Sequence, residues 1–149
     1  MSNPFIHENT FTVYPSDCNY MKVSDGSPMV HGGTLLLKMD RASAELARRC
    51  LYGSECDSAL TVGVESVKFL DGAKLGDIIK VKVEAIGFGS KRMTFKVECF
   101  VESFCLTSKE CTYKKIAEGI YSFCSFANNK SFPHNLRTNE KWVAYINSL

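Results

Sequence analysis

Four consecutive segments of β-strand character, joined by short connections, constrain this fold more than any other feature. Apolar and polar residues alternate along residues 78–88 and again along 92–102, and the turn residues of 89–91 separate the two segments. Parallel neighbours require a long crossover that usually contains a helix, and these connections are too short for one, so we expect antiparallel pairing. The four predicted strands cover residues 60–70, 78–88, 92–102 and 116–127.

One long helix is predicted before these strands, at roughly residues 33–51. Its charged residues collect on one side of a helical projection, as in an amphipathic helix. A single helix with a broad apolar face implies that the sheet curls around it, so the fold class is α+β. The charged residues of this solvent-exposed stripe are Lys38, Arg41, Glu45, Arg48 and Arg49.

The remaining segments are shorter or less regular. Residues 11–17 contain a short β-prone run that ends in a turn, and a loop through residues 25–28 leads to the helix. We expect a polar loop at 103–114, an irregular stretch from residue 128, and a short helix within 139–149.

Length and charge restrict the classes of protein that are possible. The 149 residues, 45% of them apolar, fit a single domain over 1–149, with a core at about 11–127 and a C-terminal tail at 128–149. The net charge is only +2 and no basic block occurs, which argues against nucleic acid or an anionic membrane as partner. The first residues lack the pattern of a signal peptide and no membrane-spanning run is present, so we expect a cytoplasmic protein.

The cysteines and histidines do not indicate a disulfide scaffold or a metal site. The seven cysteines are an odd number and include no C-x-x-C pair, so reduced thiols are expected. His7, His31 and His134 are far apart in the chain, and no zinc spacing can be assembled from them. We therefore expect no metal.

Asp40 stands apart from the charged stripe of the helix. It projects about 140° from the centre of that stripe, toward the side where a folded protein buries apolar residues. A carboxylate in this position suits a catalytic base, and it equally suits an ion pair with an arginine or a subunit contact. Its neighbours in the helical projection are Leu36, Ser43, Ala44, Ala47 and Leu51.

Several motifs resemble those of the hot-dog-fold acyl-coenzyme A thioesterases, over roughly residues 11–127. The resembling stretches are PSDCN at 15–19, HGGTLLLKMD at 31–40, TVGVESVKFLDGAKLGD at 61–77 and GS at 89–90. In similar proteins a Gly-Gly pair begins the central helix, and an aspartate eight residues after the first glycine is catalytic. The resemblance therefore implies an antiparallel sheet wrapped around one central helix, with Gly32, Gly33 and Asp40 in the catalytic site.

The implied chemistry is reasonable for these residues. Thioester hydrolysis requires an activated water and a group that stabilises the oxyanion. The first N–H groups of a helix have no intrahelical acceptor, and Gly33 and Thr34 would offer theirs to the carbonyl oxygen. Asp40 lies about two turns further on, roughly 10 Å away. A substrate with its water, and a helix from a second subunit, would bridge that distance. Asp40 would act as general base, or as a nucleophile that forms an anhydride. The two glycines equally suit a tight turn with no catalytic role.

The residue that orients the water is left open between two positions. Similar thioesterases often carry an asparagine seven residues before the first glycine, and here that position is Asp25. Asn19 fits if the loop is six residues longer. We favour Asn19, because an amide both donates and accepts hydrogen bonds, whereas a second carboxylate would raise a pKa in the pair and weaken the base.

Further residues are implied as substrate-binding. The cations at the predicted hairpin turn would bind the phosphates of coenzyme A, although the same residues suit a solvated turn. His31 is more typical of a loop or core position than of an acid–base group. The implied substrate-binding residues are His31, Thr34, Thr61, Ser90, Lys91 and Arg92.

The sequence thus predicts an acyl-coenzyme A thioesterase without a cofactor, coenzyme A being part of the substrate. Self-association as a dimer, tetramer or hexamer is expected, because the strands include an edge and the site requires a second subunit. Two alternatives remain. One is a hydratase or dehydratase of the same fold, although the spacing from Asp25 to His31 is six residues and not five. The other is a non-catalytic acyl-coenzyme A-binding protein.

Overall fold

The computed structural model describes residues 3–22 and 24–149. It contains two helices, α1 and α2, and eight strands, together with two 3-10 turns at Pro15–Asp17 and Leu136–Thr138. In chain order the elements are β1 (Ile6–Thr12), β2 (Cys18–Lys22), β3 (Pro28–Val30), α1 (Gly32–Leu51), β4 (Ser58–Phe69), β5 (Ile78–Phe88), β6 (Arg92–Cys105), β7 (Glu110–Ala127), β8 (Lys130–Ser131) and α2 (Glu140–Ser148).

The main sheet is antiparallel, in the order β1-β5-β6-β7-β4, and β8 pairs with the end of β7. The predicted hairpin of β5 and β6 is confirmed, with Ile79 opposite Val101 and Val83 opposite Val97. Alternate residues of both strands are buried, as their apolar–polar alternation predicts. The inner face of this sheet forms most of the core.

Helix α1 packs against the inner face of the sheet. Leu35, Met39, Ala42 and Leu46 are buried, and their spacing of three and four residues places them on one side of the helix. The hydroxyl of Tyr121 on β7 donates a hydrogen bond of 3.0 Å to the carbonyl of Leu36. The helix contacts β1, β4, β5, β6 and β7, so the predicted arrangement of a curled sheet around one helix is confirmed.

Strand β4 forms one edge of the main sheet and exposes apolar side chains. Its inner neighbour is β7, and within the described chain no strand pairs with its outer edge. A long apolar edge of this kind is a surface on which another chain can pair. The exposed apolar residues on β4 and on the adjoining side of α1 are Leu37, Leu60, Val62, Val64 and Phe69.

The predicted polar loop at 103–114 is wrong. Strand β6 extends to Cys105 and β7 begins at Glu110, so a four-residue turn closes a long hairpin in which Ser103 lies opposite Thr112. Much of this arm lies beyond the end of β5 at Ile78, where most of its side chains are exposed. Without a buried face, its sequence lacks the alternation by which strands are recognised.

Strands β2 and β3 were also missed, because they lie in the segment predicted as a loop. They form a small two-stranded sheet in which Cys18 pairs with Val30 and Lys22 with Pro28. The predicted C-terminal helix is confirmed as α2. Neither described helix is long and apolar enough to cross a membrane.

We expect Met39→Ala to lower the free energy of unfolding by about 2–5 kcal/mol, because it removes a wholly buried side chain (0% exposed) between α1 and the sheet. Leu106→Ala is the matched control, since Leu106 is 89% exposed at the tip of the arm and its change should stay within about 0.5 kcal/mol. Urea unfolding followed by circular dichroism measures both. Equal losses in the two variants would contradict this packing.

Candidate active site

The N-terminus of α1 is capped by His31. Its Nδ1 accepts a hydrogen bond of 2.9 Å from the Gly33 N–H, and its carbonyl accepts one of 3.0 Å from the Thr34 N–H. Both N–H groups that the sequence suggested for the carbonyl oxygen are therefore engaged in this chain. The Gly32 N–H has no acceptor among the described residues, so it is the donor left at this helix end.

Gly32 lies close to the end of the edge strand. A Cβ atom built on Gly32 would lie 3.4 Å from the ring of Phe69, the last residue of β4. A larger side chain would require the ring to shift. The Phe69 ring is about half exposed, so the space between Gly32 and this ring is open to solvent on one side.

The small sheet of β2 and β3 carries Asn19, and the residue before β2 is hydrogen-bonded to the start of α1. The carbonyl of Asp17 accepts hydrogen bonds from the His31 N–H at 2.8 Å and from the Thr34 hydroxyl at 3.2 Å. Asn19 follows two residues later and is half-buried, with its Oδ1 accepting from the Met21 N–H at 2.8 Å. Asn19 thus lies two residues beyond the contact between Asp17 and the helix start.

Asp25, the other candidate for that role, is engaged on the surface. Its carboxylate forms an ion pair of 2.6 Å with Lys74. The hydrogen bond from Lys74, followed by those from Ser27, holds the pKa of Asp25 well below its usual range. Because these contacts engage the Asp25 carboxylate, they favour Asn19 over Asp25 as the residue that orients the water.

Asp40 lies between α1 and β4. The Thr61 hydroxyl donates a hydrogen bond of 2.6 Å to Asp40 Oδ1, and the other carboxylate oxygen accepts none from the described residues. No ion pair in the described part of the chain includes Asp40, so the chain itself provides no arginine partner. One oxygen is therefore positioned and the other is available to a water molecule.

The surroundings of Asp40 are more open than the helical projection predicted. Asp40 is half-buried and Thr61 is exposed. Of the predicted neighbours, Ser43, Ala47 and Leu51 are buried, whereas Leu36 is half-buried and Ala44 is exposed. The projection placed Asp40 toward the side where apolar residues are buried, but the curled sheet ends at β4 and leaves this boundary uncovered within the described chain.

Burial and the negative charge of Asp40 both affect the pKa of the Tyr121 hydroxyl. Burial raises the pKa of the Tyr121 hydroxyl, and the negative charge of Asp40 raises it further. The hydroxyl consequently stays protonated and continues to donate to Leu36, one helical turn before Asp40. This contact fixes the backbone that carries the carboxylate.

The turn between β5 and β6 carries the three predicted phosphate-binding residues. Ser90, Lys91 and Arg92 are all exposed, and the Lys91 ammonium donates to the Ser131 hydroxyl at 3.1 Å. The Arg92 guanidinium extends toward β4, where it lies 3.8 Å from a Cβ built on Gly63. Of the three, Arg92 is the one brought near the strand that carries Thr61.

His134 holds this turn against the C-terminal tail. Its Nε2 contacts the Arg92 carbonyl at 3.0 Å, and its Nδ1 accepts from the Leu136 N–H at 3.0 Å. The ring is therefore neutral with its proton on Nε2. Burial lowers the pKa of His134 below its ordinary value. No sequence pattern indicates this anchoring role.

Two further relations could not be predicted from the sequence. Asp40 and Thr61 are 21 residues apart, and their contact depends on β4 running beside α1. Phe69 is 37 residues from Gly32, and only the folded chain places its ring at the helix start. No local sequence pattern predicts either contact.

Comparisons with known proteins agree on one family. The profile of the thioesterase superfamily matches residues 28–103. A curated acyl-CoA thioester hydrolase of Haemophilus influenzae, itself uncharacterised, is 25% identical over 118 residues, which cover 77% of this chain and 68% of the relative.

Solved structures share the fold. A hexameric broad-specificity acyl-coenzyme A thioesterase matches with a TM-score of 0.74 and 22% identity, covering 95% of this chain and 96% of its own. An acyl-CoA hydrolase of Staphylococcus aureus, in complex with butyryl coenzyme A and coenzyme A, matches with a TM-score of 0.72 and 20% identity, covering 88% and 71%. Structures of that hydrolase also exist with an aspartate, a threonine or an asparagine replaced by alanine.

The neutral His134 makes stability depend on pH. The unfolded chain binds a proton at this residue near pH 6.5, whereas the folded chain does so only at a lower pH, so stability is present above about pH 6.5 and is lost as the pH falls toward the folded pKa. We expect the thermal midpoint to fall more for the wild type than for His134→Gln between pH 7.5 and 5.5. Leu106→Ala, which changes an exposed residue that does not titrate, should keep the wild-type dependence. Equal slopes in wild type and His134→Gln would exclude this role.

Proposed function

The chain belongs to the thioesterase superfamily, and we propose that it hydrolyses the thioester of an acyl-coenzyme A to the free acid and coenzyme A. Its sheet wrapped around α1 is the hot-dog fold. The observation that carries the proposal is Asp40, whose carboxylate is held by Thr61 at one oxygen and is open at the other. The substrate class follows the Haemophilus influenzae relative and the coenzyme A-bound structure described above.

In the proposed mechanism, Asp40 is the general base. The Thr61 hydroxyl fixes the carboxylate, so the free oxygen can accept a proton from a water molecule that attacks the thioester carbon. Coenzyme A then leaves as the thiol. Attack by Asp40 itself through an anhydride is the second version of this step. Aspartate, threonine and asparagine are also the residue types that were replaced in the Staphylococcus aureus hydrolase.

The positive end of α1 would stabilise the oxyanion. The Gly32 N–H is free to donate to the substrate carbonyl, whereas the Gly33 N–H becomes available only when the His31 ring is displaced. Asn19, two residues beyond the Asp17 contact with this helix end, would position the water or the thioester. Arg92 at the β5–β6 turn would bind a phosphate of coenzyme A.

Two protomers would share each site. Gly32 and Asp40 are about two helical turns apart on one helix, so they cannot both contact the same reacting group within one chain. The exposed apolar edge of β4 supports pairing with a second copy, and the broad-specificity neighbour is described as a hexamer. Self-association through β4 would bring the helix start of one chain to Asp40 of its partner.

The hydratase alternative receives no support from the geometry. That reaction uses a histidine as acid–base group, but Asp25 is paired with Lys74, and His31 Nδ1 caps the helix. We propose a cytoplasmic enzyme without a cofactor. The seven cysteines are free thiols, consistent with a reducing compartment.

Asp40→Asn tests the catalytic assignment. The amide keeps the size and still accepts from Thr61 but cannot take a proton, so acyl-coenzyme A turnover should fall about 10²-fold or more. The thermal midpoint should stay the same or rise, because a partly buried charge is removed. Thiol release and differential scanning fluorimetry measure the two quantities. Asp25→Asn is the matched control and should retain turnover. Normal turnover with a lowered midpoint would make Asp40 a structural carboxylate.

Val62→Lys tests assembly through β4, where Val62 is 56% exposed. A charge on this edge should lower the oligomer mass measured by light scattering, and turnover should fall with it. Val143→Lys on α2 is the control, since Val143 is 43% exposed at a distant surface, and mass and activity should be unchanged. A fully active monomer would exclude the shared site.

A further inference from the structure

A groove of about 580 Å³ lies between the second half of α1 and the beginning of β4. It begins beside the Asp40–Thr61 pair, because Ala44 follows Asp40 by one helical turn and Ala59 precedes Thr61 by two residues. The lining residues used below are Arg41, Ala44, Arg48, Leu51 and Ala59, together with the carboxylates Glu45 and Asp57. A bound chain that passes Asp40 can therefore continue into this groove.

Two arginines in the groove form no ion pair with any residue that the structure describes. Arg41 and Arg48 are seven residues apart, so they lie on the same side of α1 two turns from each other. Every ion pair within residues 3–22 and 24–149 uses a lysine or a histidine, and none uses an arginine. The sequence predicted both residues on the solvent-exposed stripe of α1, and both are exposed. The structure adds that a groove runs along this stripe.

The carboxylates that line the groove are held by other groups. Glu45 Oε2 contacts His7 Nε2 and Asn9 Nδ2, each at 2.6 Å, on the side of β1. Burial disfavours the charge of Glu45, but the hydrogen bonds from Asn9 and His7 outweigh it and lower the pKa, so Glu45 stays ionised. Asp57 accepts from the Ser58 hydroxyl at 3.0 Å and from the Asn128 N–H at 3.1 Å. Neither forms an ion pair with Arg41 or Arg48 among the described residues.

The rest of the lining mixes apolar residues with polar ones such as Ser54 and Ser58, and it includes the ring of Tyr52. Ala44 and Ala59 keep the groove open where it leaves Asp40, and Leu51 is buried at its far end. Arg48 lies eight residues beyond Asp40, about 12 Å along the helix. This arrangement suits a chain of methylene-like groups that ends in an anion.

We propose that this groove is an anion-binding subsite for the acyl-coenzyme A substrate, with Arg41 and Arg48 as the anion-binding residues. The proposal rests on the proposed function, and it adds a requirement for a negative charge at a fixed distance from Asp40. Guanidinium groups bind carboxylates and phosphates through paired hydrogen bonds. The anion is either a carboxylate at the far end of the acyl group or a phosphate of coenzyme A, and matched substrates separate the two.

The test compares wild type with the double variant Arg41→Gln/Arg48→Gln. Octanoyl-coenzyme A and suberyl-coenzyme A have the same chain length, and suberyl carries the additional terminal carboxylate. If the anion is that carboxylate, kcat/KM for suberyl-coenzyme A falls tenfold or more, and the value for octanoyl-coenzyme A changes less than threefold. If the anion is a phosphate, KM for both substrates and the Kd of free coenzyme A, measured by isothermal titration, rise together by tenfold or more.

Arg137→Gln is the control for the loss of charge, because Arg137 is exposed in the C-terminal 3-10 turn and does not line the groove. Its kinetics should match the wild type. Unchanged kinetics and unchanged coenzyme A affinity in the double variant would overturn the proposal. A change in its oligomer mass would assign the groove to a subunit contact and would also overturn it. Failure of the wild type to hydrolyse any acyl-coenzyme A would instead reject the proposed function, and the titration would still test the groove.

Discussion

The packing of one helix inside a curled antiparallel sheet is the constraint on which the rest of this structure depends. Met39 and Leu46 are wholly buried on the side of α1 that faces the sheet. Because the sheet ends at β4, it covers only part of the helix circumference. Asp40 lies at the boundary of the covered part, where the neighbouring strand supplies Thr61. The same packing that stabilises the fold therefore leaves a carboxylate accessible beside a strand edge that no described strand pairs with.

In this arrangement the groups proposed for catalysis and binding follow one another along α1. The positive helix end lies at Gly32, the carboxylate follows at Asp40, and the groove with Arg41 and Arg48 begins at the next turn. Strand β4 passes beside the whole series, from Phe69 at the helix start to Ala59 at the groove. Any change in how β4 lies against α1 would alter all three regions together.

The sequence predicted the parts of the fold that leave a local pattern. Strand β5 was predicted with its observed limits, and α1 to within one residue at its start, because burial on one face produces alternation in strands and a three-to-four spacing in helices. The sequence did not predict the arm formed by β6 and β7 or the small sheet of β2 and β3, because neither has a continuous buried face. For the site, the motif spacing singled out Gly32 and Asp40, whereas the contact with Thr61, the capping by His31 and the groove arise from tertiary packing.

The most direct test of the shared site is a complementation experiment with two inactive variants, Asp40→Asn and Gly32→Val, the second of which blocks the helix start. Each should be inactive alone and should keep the wild-type oligomer mass. If one protomer supplies the helix end and its partner supplies Asp40, heterodimers contain one intact site, and refolding an equimolar mixture should restore about a quarter of wild-type turnover. A mixture that remains as inactive as the separate variants would contradict a site shared between protomers.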